Sequence, residues 1–326
     1  MTERSGSASG KVILVGEHAV VYGVPAIAVG IDRGARARAR ALAEGPSRLS
    51  LVVKGGAPVR VVEGEGDEPI SRAFRAVLAS VRAAHALGPV DVEVETDLPA
   101  GAGLGCSAAL GVAITRSLAE LDDEDAQRHA TAWERVFHGN PSGIDAAVAA
   151  LGGALIFSRD EDGGSIAPLE VEVPLALAVG HSGLASSTRS MVESVARQRQ
   201  RRPDLVKKTF DGIDAVVRNA RLAIEAGDVR ALGKLLDMNQ MMLAGLLLST
   251  QEIETLCASA RAEGALGAKL TGAGGGGCVV ALAESRAAAD RIVAAWGREG
   301  FTGFVSEVAA TARREPPRLV LGVGAR

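Results

Sequence analysis

Residues 99–109 read Pro99-Ala100-Gly101-Ala102-Gly103-Leu104-Gly105-Cys106-Ser107-Ala108-Ala109, and a helical apolar pattern follows at once. A glycine loop that opens onto a helix turns several backbone N–H groups toward one point, and the helix end adds partial positive charge. Phosphate is its natural occupant. No Gly-Lys-Ser/Thr closes the loop, so it is not a Walker motif. Gly103 to Ala108 does fit G-x-G-x-x-A, which leaves a dinucleotide site, or a tight turn with no ligand, as other readings of the loop alone. A dinucleotide fold needs a parallel strand after the helix, with an acidic residue at its end, whereas a second helical pattern follows here.

A second glycine segment, Lys269-Leu270-Thr271-Gly272-Ala273-Gly274-Gly275-Gly276-Gly277-Cys278, runs directly into the apolar residues 278–282. A flexible connector would be polar, so a structured loop is expected, one that lets backbone approach backbone or nucleotide where a Cβ would clash. Glu134 and Asp145 lie on either side of the break Gly139-Asn140-Pro141-Ser142-Gly143. From neighbouring elements they can face one cavity, one holding a metal and the other handling a proton. Lys11 and the pair Glu17-His18 flank the end of the first apolar run. Each is ordinary by itself, a solvated lysine or a structural histidine; together they suggest a site.

The elements that must position these groups follow from periodicity. Strands are expected over 11–15, 26–31 and 35–43, forming a β-meander, with Arg36, Arg38 and Arg40 on one solvated strand face. Helical spacing covers 69–87, a strand covers 90–94, and helices cover 107–121, 123–138 and 144–151. The first domain is expected to close at residue 172 and a second to span 173–326. The second half reads as a strand at 174–179, a mainly helical stretch over 191–263 with a turn at Gly227-Asp228, and strands at 278–282, 301–308 and 318–323. That is a mixed α+β sandwich.

With 326 residues the chain is long enough for two domains of about 150 each. A net charge of −3 offers no electrostatic basis for a nucleic-acid or anionic-membrane partner. Three scattered cysteines, with no C-x-x-C pair, argue against a disulfide framework or zinc site and fit a reducing cytoplasm. No secretion signal is visible at the start, and the greasiest segment, 238–248, reads as a buried helix and not as a membrane span.

The run Lys11-Val12-Ile13-Leu14-Val15-Gly16-Glu17-His18-Ala19-Val20-Val21-Tyr22-Gly23, the 99–109 loop, His138-Gly139-Asn140-Pro141-Ser142-Gly143-Ile144-Asp145 and the 269–278 segment occur in that order. Together they resemble the GHMP kinase superfamily, most of all its mevalonate-phosphorylating members. The resemblance implies a two-domain α+β fold: a mixed-sheet N-terminal domain, a ferredoxin-like C-terminal domain and an active site between them. It implies transfer of phosphate from ATP, with Mg2+, to the 5-hydroxyl of (R)-mevalonate. Another GHMP kinase, acting on phosphomevalonate, homoserine or a sugar, and a non-catalytic ligand-binding member are the alternatives.

By the same resemblance Asp145 is the base and Lys11 the stabilising cation, while Ser107 and Glu134 hold the metal. Pro99, Gly101, Ala102, Gly103, Leu104, Gly105, Cys106 and Ser107 hold the nucleotide. Glu17, His18, Ser142, Thr188, Gly272 and Ala273 lie on the substrate side. A homodimer is a further implication. One departure stands out: Cys106 replaces the first serine of the family's Gly-Leu-Gly-Ser-Ser-Ala-Ala. A thiol at a helix N-terminus is expected to have a lowered pKa. The other reading is a small space-filler turned away from the phosphates.

Overall fold

The opening residues look too polar for a strand, yet they form one. The computed structural model describes residues 3–53, 57–99, 101–139, 143–160, 163–185 and 187–311. β1 (Glu3–Val15) is much longer than its apolar end suggested, because Glu3 to Ser9 pair with β2 (Ala26–Ala41) from Arg40 to Gly34. β2 is continuous through Gly34, where two separate strands were expected. Along it Ala35, Ala37 and Ala39 are buried while Arg36, Arg38 and Arg40 face solvent, as the alternation predicts.

β3 (Arg48–Val53), β4 (Val59–Val62), α1 (Pro69–Arg82) and β5 (Val90–Thr96) follow. Then come α2 (Cys106–Leu118), α3 (Asp123–His138), α4 (Ile144–Leu151), β6 (Ala154–Asp160) and β7 (Gly163–Leu169). The sheet order is β4-β3-β5-β2-β6-β7, with β1 on the other edge of β2. No meander forms: β5 inserts between β2 and β3 and runs parallel to β3. Helix α2 goes straight on to α3, with no parallel strand between, which removes the dinucleotide fold.

The second half comprises β8 (Leu175–His181), α5 (Thr188–Arg201), α6 (Pro203–Glu225), α7 (Val229–Gly245) and α8 (Gln251–Ala262). β9 (Gly267–Thr271), β10 (Cys278–Ala283), α9 (Arg286–Arg298) and β11 (Thr302–Val308) complete it. Its strands lie in the order β11-β8-β10-β9, all antiparallel, which is the ferredoxin-like arrangement. The strand expected at 318–323 falls outside the described residues. The 238–248 segment is not a buried helix throughout: Leu243, Leu246 and Leu248 are buried, but Met238, Met241 and Leu247 are exposed. Its apolar residues run all round the helix, and only one stripe of α7 packs on β9. Among the described residues no helix is long and apolar enough to cross a membrane.

Candidate active site

Between β5 and α2 the glycine loop alternates in a way that serves phosphate. Gly101, Gly103 and Gly105 all take positive φ, at 71°, 78° and 73°. The intervening Ala102 and Leu104 are each 1% exposed and point into the core. Backbone is thereby left toward the cleft, at the head of α2. β1 lies against this loop, since the Lys11 amide donates to the Leu104 carbonyl at 2.9 Å. A Cβ on Gly105 would stand 2.9 Å from Lys11 Cγ, so the loop and the lysine stem are in direct contact.

Lys11 Nζ reaches Asp145 Oδ1 at 3.1 Å, from strand to helix. Asp145 occupies the first turn of α4, where the helix end favours a carboxylate. Beside this pair, Ser107 Oγ donates to Glu134 Oε1 at 2.5 Å, and His138 Nε2 lies 3.8 Å from the other Glu134 oxygen. Burial pushes the Glu134 carboxyl above its ordinary value and nearby Asp145 adds to that, while Ser107, His138 and Lys11 act to lower it. A buried carboxylate with a hydroxyl at its side is a hard oxygen donor set of the sort Mg2+ takes. No three His, Cys, Asp or Glu side chains gather into a self-sufficient cage among the described residues.

The second glycine segment forms the facing wall. Thr271 Oγ1 accepts from the Ile13 amide at 2.8 Å and donates to the Ile13 carbonyl at 3.1 Å, stitching β9 to β1. Gly272 has φ 88° and abuts Gly103, where a Cβ would come 3.6 Å from the Gly103 carbonyl oxygen. His18 is buried at φ 59°, and its Nε2 donates to the Ala273 carbonyl at 2.8 Å. Burial pushes its pKa below 6.5, outweighing the Ala273 bond and Glu17, so the ring is neutral and Nδ1 is its acceptor.

Lys11, Ser107, Glu134, Asp145, His18, Gly272 and Ala273 are thus brought to one cleft. Thr188 is exposed at the first turn of α5, and Ser142 and Ala100 lie outside the described residues. Glu17 departs from its expected substrate-side place. It is buried behind His18, where Lys269 and Asn239 engage its two oxygens. Neither partner had been assigned a role. A lysine between the apolar residues Ala268 and Leu270 was the available signal, since a charge inside such a strand requires a buried partner.

Cys106 also differs from the lowered pKa expected of it. Burial pushes its thiol up, outweighing a hydrogen bond with Thr96, and its Sγ lies 3.9 Å from the Leu98 carbonyl. The side chain packs back toward β5, away from the cleft, which is the space-filling alternative.

A phosphate cradle beside a lysine–carboxylate pair, set between a mixed sheet and a ferredoxin-like sheet, defines a phosphoryl-transfer enzyme with two unlike halves. The model described as GHMP kinases N terminal domain matches residues 70–153, and that described as GHMP kinases C terminal matches 220–302. A mevalonate kinase of Aeropyrum pernix is 38% identical over 85% of this chain and 87% of its own. One from Pyrococcus horikoshii is 35% identical over 86% and 88%. The crystal structure of L. major mevalonate kinase in complex with R-mevalonate superposes with a TM-score of 0.83 at 29% identity, covering 96% of this chain and 97% of that one. The chain belongs to the mevalonate kinase family of the GHMP kinases.

Proposed function

We propose that the chain transfers the γ-phosphoryl group of ATP to the 5-hydroxyl of (R)-mevalonate, giving (R)-5-phosphomevalonate and ADP. The observation that carries this reading is the Lys11–Asp145 pair at 3.1 Å beside the Ser107–Glu134 pair at the head of α2. Asp145 takes the hydroxyl proton, and Lys11 lies between the incipient alkoxide and the γ-phosphoryl oxygens, where both gain from a cation. The loop from Pro99 to Ser107 holds the triphosphate. Ser107 and Glu134 hold Mg2+, which when bound neutralises phosphate charge. Gly272 and Ala273 wall the cleft opposite, Thr188 and Ser142 serve substrate binding, and the His18 Nδ1 accepts from a substrate hydroxyl. The domain division falls at 172/173, the protein works in the cytoplasm, and two copies form its dimer.

ADP release, measured with a coupled assay across mevalonate, phosphomevalonate, homoserine and galactose, tests this. Turnover is expected with mevalonate alone and only with Mg2+ present. Asp145→Asn and Lys11→Met are each expected to cut kcat by about 10²–10⁴-fold in folded protein. Preference for another alcohol, or wild-type turnover by Asp145→Asn, overturns the substrate or the base respectively.

A further inference from the structure

Behind His18 lies a polar knot that the phosphoryl-transfer chemistry does not use. Lys269, in β9, is fully buried, and its Nζ meets the carboxylate of Glu17, itself 1% exposed. The same Nζ donates to the Leu270 carbonyl, and Asn239 Nδ2 donates to the other Glu17 oxygen at 3.1 Å. Next to Asn239 on α7, Gln240 accepts the Leu270 amide at 2.8 Å and donates to Glu254 at 2.9 Å. Glu17 comes from the first half of the chain; its partners in the knot all come from the second.

Taking two charges out of water costs several kcal/mol per ion, and their attraction commonly does no more than offset that, so an apolar pair would serve a mere core equally well. The position of the pair indicates its use. Glu17 sits between Gly16, at φ 102°, and His18, at φ 59°. A residue other than glycine held at such a φ costs of order 1–3 kcal/mol and persists only where its surroundings over-determine it. Here the surroundings are the Lys269 contact on one side of the turn and the Ala273 carbonyl on the other.

We propose that the Glu17–Lys269 pair is a positioning device for the alcohol substrate: it clamps the Gly16–His18 turn onto β9 and so sets the height and aim of the His18 imidazole over the cleft. Glu17 acts through His18 and does not touch substrate. The inference rests on the mevalonate reading given above.

Two variants test it. Glu17→Asp keeps the charge, and with it the fold, but withdraws the carboxylate by one methylene. Glu17→Gln with Lys269→Met removes both charges and keeps an oxygen for Asn239. Each is expected to raise the KM for mevalonate about tenfold, with kcat and the KM for ATP held within about threefold. In a His18→Ala background neither should add anything, because groups acting in series are not additive. A wild-type mevalonate KM in Glu17→Asp, or effects that add fully to those of His18→Ala, overturns the proposal. Should the double variant not fold, Glu17→Asp decides alone. Should the wild type prove inert toward mevalonate, the substrate reading fails, and the same cycle is run on whichever alcohol it accepts.

Discussion

His18 is the residue whose chemistry is most sensitive to its surroundings. Its neutral ring depends on burial, which holds the pKa below 6.5. In the folded protein the depressed pKa means that stability is fully present above 6.5 and is lost as the pH falls through that value toward the folded pKa. Activity should follow the same sign. Initial-rate assays are expected to give a flat KM for the alcohol from pH 7 upward and a rise below 6.5, once Nδ1 takes a proton and stops accepting. Burial shifts Cys106 in the opposite sense for reactivity, by disfavouring its thiolate. At pH 7.5 thiol reagents are expected to label Cys106 more slowly than free cysteine, a comparison that timed mass spectrometry makes directly. Faster labelling would restore the helix-end argument that the sequence suggested. That argument failed because it weighed the helix and left out the packing of Cys106 against β5.

At the scale of elements, the seam between α7 and β9 is set by two glycines. A Cβ on Gly267 would fall 1.9 Å from the Gly233 carbonyl oxygen, and one on Gly233 would fall 2.3 Å from that of Leu266. Gly267→Ala is therefore expected to cost about 1–3 kcal/mol in urea unfolding. Gly245, at the end of α7, has open space around its missing Cβ and no positive φ, so Gly245→Ala should stabilise by about 0.4–1 kcal/mol. The helices that carry the site were readable from the sequence because their apolar residues recur at helical spacing; α3 and α4 lie where expected. β3, β4, β6 and β7 were not: β4 and β7 pair with the strands just before them, β3 and β6, and those two are placed by β5 and β2, which lie far from them along the chain. The polar half of β1 is likewise placed by its pairing with β2. Lys11, Ser107, Glu134 and Asp145 were legible as a set through their motifs, whereas the inward turn of Glu17 depended on Lys269, which lies 252 residues away.

For the molecule as a whole, β1 touches both sheets, and further ties cross between the halves. Tyr22 stacks on Phe210 with ring centroids 5.1 Å apart, and the Arg33 guanidinium lies 4.0 Å from the centre of the Phe304 ring. Asp32 donates its amide to Ser306 Oγ at 2.9 Å and accepts from the Glu307 amide at 3.1 Å. Such coupling favours one cooperative transition over two. The two tryptophans allow a direct check, because Trp133 is buried in the first half and Trp296 in the second. Trp133→Phe and Trp296→Phe, each leaving one fluorophore, are expected to report coincident unfolding relative to their own stability measured by circular dichroism. A fluorescence midpoint well below that of circular dichroism in either variant would mean that one half melts alone.

The stitch from Ile13 to Thr271 joins residues 258 apart, which has a consequence during synthesis. At roughly 5–20 residues per second, a ribosome needs roughly 13–50 s to travel between them. Lys11 and the phosphate loop have then long been exposed, while the wall that faces them does not yet exist. A chain released early carries a phosphate cradle with no roof, and the His18 turn, lacking Lys269 and Ala273, has nothing to hold its strained backbone. The wall that closes the cleft is made long after the strand it is stitched to.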